Sequence, residues 1–486
     1  MYRENGDDIK FRSLELASSD IGEKQGFNGP VSGSLWKKVN SLGSSYPDTF
    51  DWSVYDKLYE KFGENQPRGG VLFKTNLKVV NYHHSCSKCH YTFEIDTYGR
   101  GCVHNCVYCY AKDQLTLKGY WNRPHPMPLD LSEVRKIFYT VFETNKKSKW
   151  REVLEQRIPL RIGSMSDSFM WMDRKYKVTH ELLKILKYYQ YPYVIFTRSD
   201  LVANDEYIEV IDPKIAAVQF SISGNDEELT KMIEPGAPSI KRRFKALKKL
   251  NESGIYSTVR INPLFPSFPD GYFTDFESVH KRFGKDIPRF DLFNIEKARE
   301  FMDQMKEAKV QSFLAGVVRL NQTSISQISR ATNINYRDFF KPENYTNSGE
   351  SHFSNEEIGY YYRMLAKLGT ESGVRFSTCY IGNNFKDYYQ YQDLWSNKKD
   401  CCDIVGKVKN FEKTSQDISW DIRHKHAKDR DISKKVQDME TKLDKEHSEH
   451  HLDVKLISNK KMSEEFQTRS MQWDHKKEKP QDESQV

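Results

Sequence analysis

The chain has 486 residues, enough for one large domain or two ordinary ones, with apolar residues at 37% and charged residues at 29%. That polarity is concentrated at the two ends, which leaves the middle able to bury a full core, and no run of about 18 apolar residues predicts a membrane span. The net charge of +7 permits a nucleic-acid partner without requiring one.

The start, MYRENGDDIKFRS, carries both signs of charge and no apolar h-region, so it does not read as a secretory signal. Residues 1–50 are rich in Ser, Gly, Asp and Asn and read as a flexible arm. A helix is expected over 51–62, where Trp52, Tyr55, Leu58, Tyr59 and Phe62 share one face, within an N-terminal extension (51–90) that ends in a Cys-x2-Cys. Strands are expected at 91–98, 158–163, 193–197, 216–222, 257–262 and 312–320, with a last one at 374–379. Helices are expected near 132–146, 176–190, 203–211, 239–253, 295–308 and 354–370, and 321–353 reads as a long irregular stretch. In 239–253 the apolar stripe Ile240, Phe244, Leu247 and Leu250 is surrounded by Lys241, Arg242, Arg243, Lys245, Lys248 and Lys249, before Gly254 stops the helix.

Strands alternating with helices imply parallel pairing through right-handed crossovers. The expected fold is α/β, a partial (β/α)6 barrel, with a doubly wound open sheet as the alternative. The barrel and a C-terminal cysteine segment span 91–402. Residues 403–486 form a densely charged tail that holds His447, His450 and His451 and reads as disordered.

The eight cysteines group at 86, 89, then 102, 106, 109, then 379, 401, 402, which in so long a chain reads as metal ligation in a reducing compartment, by default the cytoplasm. GRGCVHNCVYCYAK (99–112) follows the first expected strand and contains Cys-x3-Cys-x2-Cys. Three thiolates on so short a loop can ligate three irons of a cubane and leave the fourth open. Gly99 and Gly101 give its backbone freedom to approach a cluster. The plainer alternative is a zinc site completed by His104, Cys86 or Cys89.

This sequence resembles the radical S-adenosylmethionine superfamily, and within it the spore photoproduct lyase-like, DNA repair photolyase-like group. The residues that carry the resemblance are GCVHNCVYCYA (101–111), RIGSMSDSF (161–169), AVQFSIS (217–223), MIEPGAPSIKRRFKALKKLNESGI (232–255) and VRINPLFP (259–266). The resemblance implies a [4Fe–4S] cluster on Cys102, Cys106 and Cys109 in the loop after the first barrel strand. It implies S-adenosylmethionine on the open iron, its reductive cleavage to a 5′-deoxyadenosyl radical, and hydrogen abstraction from a substrate. An electron donor such as flavodoxin or ferredoxin is implied with it. By similarity, Ser164, Asp167 and Ser223 would meet the amino, carboxylate or ribose groups of the cofactor, and Tyr108 the adenine. Glu234 and Arg243 match the family's EP…R pattern. For Asp167 a helix N-cap, and for Arg243 a surface charge or an ion pair with Glu234, weigh equally.

Spore photoproduct lyases use a cysteine downstream of the cluster as hydrogen-atom donor, but no cysteine occurs between 110 and 378 here. Either Cys379 takes that role, or Tyr110 relays the hydrogen atom, or the reaction differs. A second metal or iron–sulfur site drawn from Cys86, Cys89, Cys379, Cys401 and Cys402 is a further expectation, against ordinary reduced thiols. The basic helix at 239–253 nominates nucleic acid as substrate. The other readings are a radical modification of a peptide or protein with an auxiliary cluster, and a non-catalytic, zinc-stabilised binding module.

Overall fold

The computed structural model describes residues 78–79, 93–99, 101–117, 126–129, 131–268 except 156 and 158, 281, 284–379, 391–396, 401–404 and 406–408. The arm, the helix expected over 51–62, Cys86, Cys89 and the tail beyond 408 lie outside the described residues.

Eight strands form one sheet whose spatial order is the chain order. They are β1 (Lys78–Val79), β2 (Phe93–Ile95), β3 (Leu160–Ile162), β4 (Tyr193–Thr197), β5 (Ala216–Ser221), β6 (Ser257–Leu264), β7 (Ser312–Val317) and β8 (Arg375–Thr378). β1 runs antiparallel to β2, and each later neighbour pair is parallel. A doubly wound sheet reverses its strand order at a switch point. No reversal occurs here, so successive crossovers turn the same way, as they do around a barrel. β1 and β8 stand at opposite edges and the sheet stays open, which makes the barrel partial.

The helices used below are α1 (Tyr110–Leu117), α2 (Leu131–Phe142), α3 (Val178–Tyr188), α4 (Asp205–Val210), α5 (Glu227–Ile233), α6 (Ile240–Glu252), α7 (Ala298–Glu307), α8 (Gln322–Thr332) and α9 (Asn355–Ser372). Among the described residues none is long and apolar enough to cross a membrane.

Three expectations are corrected. The first expected strand breaks after Ile95, because the Asp96 carboxylate turns to accept the backbone N–H groups of Ser164 and Met165, at 2.7 and 3.1 Å. Tyr98–Gly99 then pairs separately with Met127–Pro128. The strand expected to reach residue 320 ends at Val317, and Leu320–Asn321 joins Glu350–Ser351 instead. The stretch expected to be irregular contains α8, capped by the Asn321 side chain, which accepts from Ser324 N. Its weak signal is understandable: QTSISQISRAT buries only Ser324, Ile325 and Ile328, too narrow a stripe to stand out.

Helix α9 shows how locally such elements are specified. Ser354 Oγ accepts from Glu357 N at 3.3 Å, and Ser354 N donates to Glu357 Oε2 at 2.8 Å, a reciprocal capping box. Gly373 ends the helix at φ 70°. Ser354→Ala is expected to cost about 1 kcal/mol, read as a lower urea midpoint with an unchanged slope.

Candidate active site

In parallel barrels the chemistry sits beyond the carboxyl ends of the strands. Here the three-cysteine loop occupies that position because the segment after α5 holds it there. Val107 N donates to Ile233 O at 2.9 Å, Gly236 N donates to His104 O at 2.9 Å, and His104 Nδ1 lies 3.0 Å from Gly236 O. A Cβ built on Gly236 would stand 1.9 Å from Val103 O, so only glycine permits this approach. Within the loop, Asn105 N bonds to Cys102 O and Cys109 N to Cys106 O, folding it into two tight turns.

Between Ile233 and Gly236 sits Glu234, fully buried and the centre of a polar knot. Arg243 Nη2, equally buried, bonds to Glu234 Oε2 at 2.5 Å, while Arg243 Nε and Nη1 donate to Pro238 O and Ser221 O. Arg198, just past β4, places Nε 3.4 Å from Glu234 Oε1 and donates through Nη2 to Tyr108 Oη at 3.1 Å. Tyr108 itself donates to Glu234 and lies 3.2 Å from Ser223 Oγ, with its ring edge-on to Phe265. Burial alone would raise the Glu234 pKa. The two guanidiniums, Arg243 before Arg198, and the Tyr108 hydroxyl outweigh it and hold the group at about 2. Arg243 therefore lies on the core face of α6, in the ion pair with Glu234 that was one of its expected readings, and both side chains are buried.

Asp167 is equally occupied. It accepts from Thr197 Oγ1 at 2.8 Å, Arg198 N at 2.7 Å and Phe169 N at 2.9 Å. His104 Nε2 stands 3.1 Å from Asp167 Oδ2, at ion-pair distance though not aligned as a hydrogen bond. Burial pushes the Asp167 pKa up, but His104 and the backbone N–H groups bring it below the ordinary carboxylate range. Ser164 lies at the mouth, with Oγ 3.2 Å from Asp96 Oδ2 and its carbonyl accepting from Tyr110 Oη at 3.0 Å. Tyr110 is 53% exposed and is the first residue of α1. One turn along that helix, Asp113 accepts from Asn321 Nδ2 and Ser324 Oγ, at 2.8 and 2.7 Å, which ties α1 to the start of α8.

Burial pushes the Cys102 thiol up to about 12, and those of Cys106 and Cys109 also rise. Cys102 and Cys106 feel the charge of neighbouring thiols, and backbone N–H groups point at two of the three: His104 and Asp167 at Cys102, Ala111 and Lys112 at Cys109. Among the described residues no three His, Cys, Asp or Glu side chains are grouped so as to hold a single metal ion. A cubane makes a different demand, one thiolate for each of three irons. Three thiols on one loop, Cys106 buried and Cys102 and Cys109 partly buried, with N–H donors aimed at the latter two and the Arg198 cation lowering the pKa of Cys106 and Cys109, fit that demand.

The remaining cysteines do not assemble. Cys379 follows the carboxyl end of β8, its Sγ 3.6 Å from Arg260 Nη2. Cys401 and Cys402 are buried, their sulfurs 3.6 Å apart, on a segment whose Asp403 pairs with Arg375 at the other end of β8. The second metal site expected from Cys86, Cys89, Cys379, Cys401 and Cys402 is not formed among the described residues, which leave out Cys86 and Cys89. The basic helix is also partly spoken for: Arg242 bonds to Asp200 at 2.6 Å and Lys249 to Asp205 at 2.7 Å, both on the neighbouring outer segment. Arg198, the residue after the strand expected at 193–197, and Gln219, Thr258 and Arg260 are not among the site residues expected from the sequence. The available signal was a charged or amide side chain at an inward position of an otherwise apolar strand.

No family model matches the chain. An uncharacterised protein of Methanocaldococcus jannaschii is 27% identical over 217 residues, covering 44% of this chain and 75% of that protein. An uncharacterised protein of Acidianus two-tailed virus is 27% identical over 176 residues, 34% of this chain and 54% of that one. An uncharacterised protein of Mycobacterium tuberculosis is 24% identical over 178 residues, 35% and 49% of the two chains. This chain thus spans about half the length of the last two. Among solved structures, a mutant spore photoproduct lyase with dinucleoside spore photoproduct aligns at a TM-score of 0.45 and 13% identity, over 76% of this chain and 94% of that one. Streptococcus suis SuiB bound to S-adenosylmethionine aligns at 0.36 and 13%, over 71% and 67%.

The Glu234 knot has a pH signature. A carboxylate held at about 2 against an ordinary 4.5 adds stability that is complete above the unfolded value and lost as pH falls from about 4.5 towards 2. The loss is on the order of 3 kcal/mol, and denaturant unfolding across that range should show it. Glu234→Gln should flatten the slope. Arg243→Met, which leaves Glu234 with one guanidinium fewer, should cost about 3–5 kcal/mol at neutral pH.

Proposed function

We propose that this protein is a radical S-adenosylmethionine enzyme in which Cys102, Cys106 and Cys109 hold a [4Fe–4S] cluster over the mouth of the partial barrel. The observation that carries the reading is the pinned loop: three cysteines, Cys106 buried and Cys102 and Cys109 partly buried, on a loop locked by backbone bonds to Ile233 and Gly236, at the carboxyl ends of parallel strands. When bound, the cluster and S-adenosylmethionine supply a one-electron cleavage of the sulfonium and a 5′-deoxyadenosyl radical for hydrogen abstraction.

The chain's own contribution is position and charge. Backbone N–H groups at Cys102 and Cys109 stabilise the thiolate form of those ligands, as such hydrogen bonds do around iron–sulfur centres. Arg198, beside Cys106 and Cys109, adds a fixed cation within reach of the same loop. Ser164 and Ser223 present hydroxyls from the ends of β3 and β5, and we assign them to polar groups of S-adenosylmethionine. Tyr108 supports that side of the site through Ser223 and Arg198 and borders the adenosine. Asp167 and Glu234 act one layer back, holding His104, Arg198 and Tyr108 in place. Helix α8, tied to α1 through Asp113, fixes the helix that leaves the loop.

Tyr110 and Cys379 are the groups we assign to hydrogen-atom return, since both stand at strand or helix ends facing the mouth and neither is consumed in the Glu234 knot. The reductant is a one-electron protein donor of the flavodoxin or ferredoxin kind. The outer-face pairing of α6 gives no support to a nucleic-acid substrate, and the substrate class rests on other residues.

Anaerobic reconstitution with iron and sulfide, then dithionite and S-adenosylmethionine, tests the reading. About four irons per chain and 5′-deoxyadenosine are expected from the wild type, and neither from the Cys102→Ala, Cys106→Ala, Cys109→Ala variant. Stoichiometric zinc with no cofactor cleavage would overturn it.

A further inference from the structure

The interior of a parallel barrel is ordinarily filled by branched apolar side chains. Here the inward positions of β5 and β6 carry Gln219, Thr258 and Arg260. Gln219 pairs in register with Thr258, and Arg260 follows Thr258 two residues on, so all three share one face of the sheet. Gln219 is 0% and Thr258 1% exposed, and Arg260 is nearly as buried. Arg260 Nη1 donates to Gln219 Oε1 at 2.8 Å, its Nη2 lies 3.6 Å from Cys379 Sγ, and its guanidinium stacks over Phe196, 4.5 Å from the ring centre. Arg161 approaches the same ring at 5.4 Å. Gln219 Nε2 and Thr258 Oγ1 have no hydrogen-bond partner, although both are buried.

Buried polar groups without partners are rare, and each calls for an explanation. Gln219 Nε2 and the guanidinium can only donate, and the Thr258 hydroxyl can donate, so this part of the face offers donors and the Arg260 charge, while Arg161 farther along the sheet is paired with Glu94. A cation is repelled there, and an apolar group would leave the amide unmade. An oxyanion matches all three, since a guanidinium fork presents parallel N–H groups to two oxygens at once.

We propose that the inward face of β5 and β6, beside the end of β8, binds an oxyanion of the substrate, a phosphate or a carboxylate, through Arg260, Gln219 and Thr258, and sets it beside the Cys379 thiol. Only the word substrate rests on the radical reading; the site stands on its own residues. Holding the charged group there places the adjoining part of the substrate between Cys379 and the mouth, which makes these three residues determinants of specificity.

The test needs neither cluster nor S-adenosylmethionine. The full chain is alkylated with iodoacetamide in chloride, inorganic phosphate or acetate at equal ionic strength, and modification of Cys379 is followed by mass spectrometry against Cys401 and Cys402. Phosphate or acetate is expected to slow Cys379 alkylation several-fold relative to chloride, and whichever acts identifies the oxyanion. Arg260→Met should abolish the protection. Gln219→Glu should abolish it too, because its carboxylate pairs with Arg260 and occupies the site; this variant preserves the test if Arg260→Met fails to fold. Equal rates in all three salts, or protection that survives in Gln219→Glu, would overturn the proposal. Loss of S-adenosylmethionine cleavage would leave it untouched, and its own failure would leave the cleavage chemistry standing.

Discussion

The buried ion pair between Glu234 and Arg243 is the constraint on which the rest of the mouth depends. A charge with no exposure is tolerated only when paired and fully hydrogen-bonded. Glu234 meets that condition with two guanidiniums and a phenol, and Arg243 with Glu234 and two backbone carbonyls. Those bonds come from the ends of β4 and β5, from α6 and from the cysteine loop. Once the pair forms, the residues on either side of Glu234 have fixed positions, and they are the ones whose backbone receives the cysteine loop. The loop is thus placed by a charge requirement several residues away from any thiol.

Around this centre the architecture follows from one-directional winding. Because spatial order equals chain order, the carboxyl ends of β2 to β8 point the same way and their loops gather on one side. Residues far apart in the chain meet there without long excursions: Asp96 with Ser164, Asp167 with Arg198, Tyr108 with Ser223. Helix α8 completes the wall. Its N-terminus is tied to α1 through Asp113, and Gln327 accepts from Lys112, so the first turn of the helix that begins immediately after Cys109 is held in place.

The interior departs from the packing rule for barrels in a definite direction. Glu94 pairs with Arg161 across β2 and β3, while Arg260 and Gln219 bond across β5 and β6. Phe196, on β4 between them, offers its ring to both arginines. An interior of this kind gives up apolar burial for oriented donors, and sites that break a local packing rule are where function is most often found.

Much of this was legible in the chain, and the reason is local. Alternation of β-branched runs with amphipathic segments specified the parallel α/β fold, since periodicity depends on near neighbours alone. The ends of α6 and α9 were marked by Gly254, Gly373 and Ser354, each acting within one turn. The three thiols were evident because their ligating potential lies in an eight-residue spacing. Tertiary structure alone decided what the isolated charges do. For Arg243 the sequence left a surface charge and an ion pair with Glu234 side by side, and it falls three residues after Ile240 on the buried stripe, where the carboxylate makes it tolerable. Asp167 had two local readings, and the contacts that settled its surroundings come from residues 104, 197 and 198 as well as its own turn. Cys379 and Arg260 are 119 residues apart, and nothing in either neighbourhood foretells their contact. Backbone hydrogen bonding and hydrophobic period are read over a few residues, whereas the pairing of buried charges depends on which strands become neighbours, and that is settled only when the sheet is assembled.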